Sequence, residues 1–302
     1  MKNNFENCMI CGDSDHVEIA NRGREGSYKV LKCLSCDFIF LGNYHNIDYS
    51  INYGSLTLGS NWSQEEAVIK RSKSLIRFNM KVSGLIEISL KQGINPNILE
   101  IGAGNGASIY GLREINRDIK IDCIELNKID AKFLKERFKV NVFDSFLSPK
   151  AKYDIVYGHH VFEHFINPRE KLNELAKISN DDCKVYLSLP NFNDFYSNSL
   201  KKEQLSKYLE FNFHLAHPYY YTIETFSRLL KDSMWKIESI ETIQDYSILN
   251  YFNWYISGTR SKNIEEGTVV SEGLKEINDN FIAMVEKKQM GNNLSVVLKK
   301  SK

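Results

Sequence analysis

The chain has 302 residues, 42% hydrophobic and 25% charged, which is the make-up of a folded globular protein and excludes disorder, collagen and a small disulfide knot. Lys and Arg number 39 against 38 Asp and Glu, so a net charge of +1 leaves no strong overall field toward nucleic acid or anionic lipid. No run approaches the apolar length of a membrane span, and the opening MKNNFENCMI lacks a signal-peptide core, so the expectation is a cytoplasmic protein with no membrane span.

Residues 1–42 hold two C-x-x-C pairs, Cys8/Cys11 and Cys33/Cys36, with 21 residues between Cys11 and Cys33. Gly23 and Gly26 mark a turn-rich middle between short apolar runs, which reads as a hairpin-based module. Without an export signal the cysteines read as thiolate ligands rather than disulfides. Four thiolates can close a tetrahedral shell on a structural zinc ion and so stabilise a segment too short to fold alone. A redox reading would need a C-x-x-C opening a helix in a βαβ unit, which is missing. Cys123 and Cys183 fall in expected strands and read as small buried hydrophobes. The first 40 residues carry five basic and six acidic side chains, a poor clamp for phosphates, so nucleic acid is not the expected partner.

Residues 43–93 read as an aromatic connector followed by a helix, whose apolar positions Val68, Leu75, Val82, Leu85 and Ile86 recur near a period of 3.6. Residues 94–302 alternate strand and helix: strands at 97–101, 119–124, 140–143, 153–157 and 183–189, with helices at 107–115, 128–138 and 168–178. Asn167 as N-cap, Pro168 at the first helical position and Glu170 at the third announce the last of these helices. Short β-α connections argue for a parallel sheet covered on both faces. Beyond Pro190 come a histidine-bearing aromatic stretch, FNFHLAHPYYYT, a helix from about 223 and a strand at 235–242. An insertion at about 245–290 and a lone strand at 294–298 close the chain.

The first strand of this region ends in Glu-Ile-Gly-Ala-Gly-Asn-Gly, residues 100–106, directly before a helix. Glycines let the backbone turn sharply and approach a ligand, while the helix start offers free N–H donors. Gly102, Gly104 and Ala107 also satisfy the dinucleotide fingerprint G-x-G-x-x-G/A. In fuller detail the segment resembles the first motif of class I S-adenosylmethionine-dependent methyltransferases, with Glu100 two residues before Gly102 and glycines again at 104 and 106. The resemblance implies a Rossmann-like α/β fold with a seven-stranded sheet, whose last strand inserts antiparallel. It implies S-adenosylmethionine held by Glu100, Gly102, Gly104 and Gly106, with its ribose on Glu125, 19 residues after Gly106. It further implies the adenine amino group on Asp144, with Phe143 or Phe146 over the ring, and His159 in the donor-binding set.

The fourth strand runs into Gly-His-His-Val-Phe-Glu-His, residues 158–164, similar to the His-Val-Leu-Glu-His segment of many small-molecule methyltransferases. One helical turn there would put His160, Glu163 and His164 on one face. Three readings stay open: a general base for the acceptor's hydroxyl, a second divalent metal on His160, Glu163 and His164, or hydrogen-bonded bracing of the loop.

The four-cysteine module, connector and Glu-His segment together resemble sugar methyltransferases of nucleotide-sugar and surface-polysaccharide pathways. In the C-methylating branch a Tyr, a Glu and a His surround the sugar; Glu163 and His164 match, and Tyr53 is a connector equivalent. This sequence lacks that branch's extra C-terminal domain, which favours O- over C-methylation. His214, His217 and Tyr220 stand where similar enzymes carry a loop over the acceptor, against the alternative of an ordinary packing loop. Tyr49 and Trp62 belong with Tyr53 as connector candidates. The expectation is an enzyme transferring methyl to a hydroxyl of a nucleotide-activated or phosphorylated sugar-type small molecule. An RNA methyltransferase and a non-catalytic zinc-ribbon scaffold are the alternatives from other classes.

Overall fold

The computed structural model describes residues 2–4, 7–45, 64–260 and 272–301. Tyr49, Tyr53 and Trp62 lie outside them. The chain begins with β1 (Lys2–Asn4), β2 (His16–Ala20), β3 (Val30–Cys33), β4 (Ile39–Leu41) and β5 (Asn43–His45). Helices α1 (Gln64–Ser74) and α2 (Ile76–Lys91) precede β6 (Ile98–Ile101), α3 (Ala107–Ile115), β7 (Ile121–Ile124), α4 (Lys128–Phe138) and β8 (Val142–Phe143). Then come β9 (Tyr153–His159), a 3₁₀ turn (Phe162–His164), α5 (Pro168–Lys177) and β10 (Ser179–Pro190). The last third holds α6 (Phe195–Ser199), α7 (Lys202–Asn212), β11 (Tyr219–Tyr220), α8 (Ile223–Leu229), β12 (Trp235–Ile243), α9 (Ile248–Ser257), α10 (Glu272–Lys287) and β13 (Asn293–Lys300).

A seven-stranded sheet in the order β12-β13-β10-β9-β6-β7-β8 forms the centre. β8, β7, β6, β9 and β10 are parallel, and β13 enters antiparallel between β10 and β12. The strand period of two sends alternate side chains to opposite faces. Ile98, Ile155 and Tyr157 pack under α1 to α4 with Val68, Phe78, Val82, Ile109 and Leu134. Leu99, Val156 and Leu187 meet Leu172 and Leu175 of α5 and Phe226 of α8 on the other side. The helix-covered, mostly parallel sheet read from the alternating pattern is observed, in the Rossmann-like seven-stranded α/β form that the resemblance implies. Among the described residues no helix is long and apolar enough to cross a membrane.

Element ends differ from expectation where local hydrogen bonds intervene. The second strand starts at Ile121 rather than 119, because the Ile119 N–H turns back to the Asn116 carbonyl. The strand expected at 183–189 runs from Ser179 to Pro190, paired with β9 on one side and β13 on the other. Asn167 stands at the N-cap of α5 without a cap bond; its amide instead donates to Glu170 Oε2 at 3.2 Å. The 245–290 insertion carries α9 and α10, which lay Trp254 and Phe281 against Tyr196 and Tyr208 of α6 and α7.

The N-terminal strands form a sheet in the order β11-β4-β3-β2, so the Tyr219–Tyr220 strand completes it from the far end of the sequence. Tyr28, Val30, Leu41 and Tyr44 share one cluster with Phe213 and Tyr220. This coupling of residues 28–44 to 213–220 gives the first candidate acceptor loop a rigid base.

Candidate active site

Parallel sheets collect ligands at the carboxyl ends of their strands. At the end of β6, Gly102, Gly104 and Gly106 all adopt left-handed backbone, with φ of 69°, 51° and 79°. A Cβ on Gly102 would stand 2.8 Å from Val161 Cγ2, and one on Gly106 would strike the Phe138 and Leu134 side chains. Glycine is therefore required at both positions by conformation and by space. Gly106 then serves as the N-cap of α3, and no side chain caps the first N–H groups of that helix.

The acidic residues around this loop divide by role. Glu125 accepts from the Gly104 N–H through Oε2 and from the Asn127 N–H through Oε1, each at 2.7 Å. Burial pushes its carboxyl upward, and those two N–H groups oppose the shift. Asn127 in turn caps α4 by accepting from the N–H groups of Ile129 and Asp130. Glu100 is buried beneath the loop, where its Oε2 accepts from the Tyr157 hydroxyl at 3.1 Å, and burial lifts its pKa to about 8. Glu100 is thus bonded to the neighbouring strand just before the glycines, whereas Glu125 bonds the loop itself at Gly104. Asp144 follows β8, exposed, and accepts from Ser148 Oγ at 2.8 Å. Phe146 is packed in the core against Phe165, whereas Phe143 is half-buried.

The neighbouring strand β9 delivers the histidine segment. Val161 touches the Gly102 position, so this turn and the glycine loop are in contact. The 3₁₀ turn starts at Phe162, and His160 lies before it with φ of 50°, which separates it from the face expected to hold all three candidates. A left-handed histidine is strained by about 1–2 kcal/mol, and such strain concentrates at functional sites. Two bonds hold it there: its backbone N–H donates to the Ser188 carbonyl at 2.8 Å, and its Nε2 meets Asn293 Oδ1 at 2.9 Å. Asn293 Nδ2 donates to Asp245 Oδ2, which orients the amide with its oxygen toward His160. The ring must then carry its proton on Nε2, leaving the lone pair on Nδ1. Asn293 starts β13 and Asp245 lies two residues beyond β12, and no motif around either marks them in the sequence.

His159 stacks on His160, with centroids 4.1 Å apart, and lies against Phe78; burial drives its pKa well down, so the ring is neutral. Glu163 is only 2% exposed, and neither carboxylate oxygen has a hydrogen-bond partner. Burial lifts it to about 8, opposed only by its own backbone N–H. His164 Nδ1 lies 2.8 Å from the Ala216 carbonyl, which can only accept, so the proton is on Nδ1; burial lowers this ring to about 4.

The 214–220 loop arrives opposite. His214 Nε2 pairs with Glu25 Oε1 at 3.0 Å, the Leu215 N–H donates to Glu25 Oε2, and the Ala216 N–H donates to His214 Nδ1. Tyr220 is buried with its hydroxyl at the His214 backbone, accepting from the N–H at 2.8 Å. His214 and Tyr220 are therefore occupied in holding the loop, whereas His217 reaches the turn, its ring centroid 4.8 Å from that of His164. Burial, followed by the charge of His164, holds His217 well below the usual histidine range.

The four cysteines converge. Cys8 and Cys36 Sγ atoms stand 3.5 Å apart, as do those of Cys11 and Cys33, and all four lie within 4.8 Å. Sulfurs around a tetrahedral zinc with 2.3 Å bonds would be about 3.8 Å apart, so the set fits zinc. Burial raises the Cys8 thiol to about 11, and Cys36 rises for the same first reason, a cost that a cation removes by holding the thiolate.

A family model described as a methyltransferase domain matches residues 73–240. Among solved structures the chain is similar to a plantazolicin methyltransferase, BpumL, in complex with SAH, at 18% identity over 79% of this chain and 89% of that one, TM-score 0.47. It is also similar to a SAM dependent methyltransferase from Archaeoglobus fulgidus, at 21% identity over 74% of this chain and 94% of that one, TM-score 0.44. A comparison with curated proteins finds no match.

Proposed function

The chain belongs to the methyltransferase-domain family, S-adenosylmethionine-dependent enzymes of class I, and from that premise we propose transfer of a methyl group to a hydroxyl of a small sugar-type acceptor, nucleotide-activated or phosphorylated. When bound, the donor supplies an activated methyl on a sulfonium. Gly102, Gly104 and Gly106 would hold it with Glu125 on the ribose and Asp144 toward the adenine, on a loop packed so closely against Val161, Phe138 and Leu134 that positions 102 and 106 exclude a Cβ, while Gly104 faces open space. Glu100, two residues before Gly102, in this reading steadies the strand end through its bond with Tyr157 of the neighbouring strand. In this reading residues 1–42 form a zinc-binding module and 94–302 the transfer domain.

The observation that carries the oxygen assignment is His160. Its ring is held by Asn293 and Asp245 so that Nδ1 has the lone pair, at a strand end touching the glycine loop. In this reading Nδ1 would take the proton of an acceptor hydroxyl held beside the donor's methyl. Positioning supplies much of the rate, and a base of this kind adds about 10²- to 10⁴-fold. The sugar class rests on the resemblance of the cysteine module and the Glu163-His164 pair to enzymes of that kind.

The test is transfer from labelled donor to a panel of nucleotide sugars and sugar phosphates, with RNA in parallel at low and high salt. The expected result is labelling of a sugar-type acceptor that falls by at least 10²-fold in His160→Asn, a residue that tolerates left-handed backbone but cannot act as base. Labelling of RNA alone would contradict the substrate class, and full activity in His160→Asn would contradict the base.

A further inference from the structure

We propose that Glu163, His164 and His217 form a second metal centre, which takes a divalent first-row transition-metal ion. The three side chains offer ligand atoms that all lie within 4.8 Å of one another. Around an ion with bonds near 2.1 Å, ligand atoms sit roughly 3–4 Å apart, so a small turn of the side chains closes the set. Two imidazoles and one carboxylate with further positions open are a donor set suited to such ions rather than to magnesium or calcium, which prefer oxygen.

The independent observation is the Glu163 carboxyl itself. It is 2% exposed with both oxygens unpartnered, in a site where the protein had every opportunity to supply a donor. An unsatisfied buried polar group of this kind is destabilising, and more so when charged. A cation between it and two histidines would remove the deficit. The hydroxyl of Tyr221, whose ring lies 5.9 Å from that of Phe162, is a second buried atom without a partner beside the same turn.

The surroundings are arranged as metal ligands require. His164 gives its Nδ1 proton to the Ala216 carbonyl, which directs the lone pair to Nε2 and fixes the ring. His217 sits on a loop clamped twice by Glu25 and joined to β4, where the Leu41 N–H donates to the Pro218 carbonyl. His160, by contrast, is turned to Asn293. The membership therefore differs from the His160, Glu163 and His164 set read from the sequence: His217, more than fifty positions away along the chain, replaces His160.

The inference goes beyond the transfer reading and is tested without donor or acceptor. Full-length protein with zinc on its cysteines is titrated with Co²⁺ and followed by visible absorption. The expected result is one added equivalent whose bands lack thiolate-to-metal charge transfer. Its affinity should fall at least tenfold in Glu163→Gln and in His217→Ala, and stay within twofold in His160→Asn. S-adenosylhomocysteine affinity, measured on the same samples, shows that each variant is folded; if Glu163→Gln is not, His217→Ala decides alone. No second equivalent, or a second equivalent unchanged in the folded variants, overturns the proposal. A loss confined to His160→Asn also overturns it, because it returns the ion to the other set. Failure of methyl transfer with Co²⁺ binding intact would count against the transfer reading and not against the metal centre.

Discussion

At the end of β6 the carboxylates are held by the protein: Glu100 accepts from the Tyr157 hydroxyl, and Glu125 accepts from the N–H groups of Gly104 and Asn127. One strand over, at the end of β9, a histidine is held in left-handed backbone and a buried carboxylate has no partner at either oxygen. The first region is a finished cradle, in which rigid glycine turns and pre-oriented groups suit a ligand of fixed shape. The second carries strain and unmet polar demand, the state expected where an ion or a variable acceptor completes the structure. The two meet through Val161 on Gly102, so they are adjacent in space while built on different terms.

The largest expected effect separates them most cleanly. His160→Asn should lower methyl transfer by about 10²- to 10⁴-fold and leave S-adenosylhomocysteine affinity within twofold, as read by single-turnover kinetics and calorimetry. Equal loss in both measurements would mean that the two regions act as one. Asn293→Ala, which leaves His160 in place but frees its ring, should cost about tenfold in kcat and move the pH profile, with little change in donor affinity.

Removing the zinc site attacks the second region from outside. Cys33→Ser should abolish the tightly held zinc, loosen the N-terminal sheet and release the Glu25 clamp on the 214–217 loop. Limited proteolysis should cut residues 7–45 and the 214–217 loop together, while donor affinity stays within about threefold. Zinc retained at one equivalent in Cys33→Ser would show that the four-sulfur reading is wrong.

Two smaller effects probe the first region. Gly102→Ala places a non-glycine residue at φ of 69° against Val161, a strain of about 1–2 kcal/mol. It should weaken donor binding by roughly 5- to 30-fold, and unchanged binding would mean the loop is not the cradle. Glu100 has its carboxyl lifted from an ordinary 4.5 to about 8 by burial, so the folded state holds that proton more tightly than the unfolded chain. Its contribution is complete below about pH 4.5 and is lost as pH rises toward 8. Urea midpoints should therefore fall less steeply across that window in Glu100→Gln than in the unchanged protein; parallel slopes would place the buried proton elsewhere.

The sequence reading reached these regions unevenly, and for physical reasons. The glycine loop is local: seven consecutive residues specify strand end, turn and helix start, so periodicity and glycine spacing suffice. The cysteine cluster is almost as local, since two C-x-x-C turns need only one hairpin to converge. The antiparallel last strand is expected only from the resemblance to class I methyltransferases, since nothing in residues 294–298 themselves sets its direction. The histidine region depends on tertiary contacts that no spacing encodes. His160 leaves the face it was expected to share because the chain turns left-handed there to donate to Ser188. Asn293 reaches it only because β13 inserts between β10 and β12, and His217 reaches Glu163 only because Tyr219–Tyr220 pairs with Ile39–Phe40. Tyr220, singled out for its ring, spends its hydroxyl on the loop that carries His217.

The central claim is a donor cradle on the glycine loop with Glu125 as its charged acceptor, separable from the histidine turn beside it. Calorimetric titration of S-adenosylhomocysteine into the unchanged protein, Glu125→Ala and His160→Asn tests it directly. Hydrogen bonds to a charged group are worth about 1.5–3 kcal/mol each, so Glu125→Ala should weaken binding by about 10²-fold or more, with His160→Asn indistinguishable from the unchanged protein. Equal affinity in all three would contradict the account.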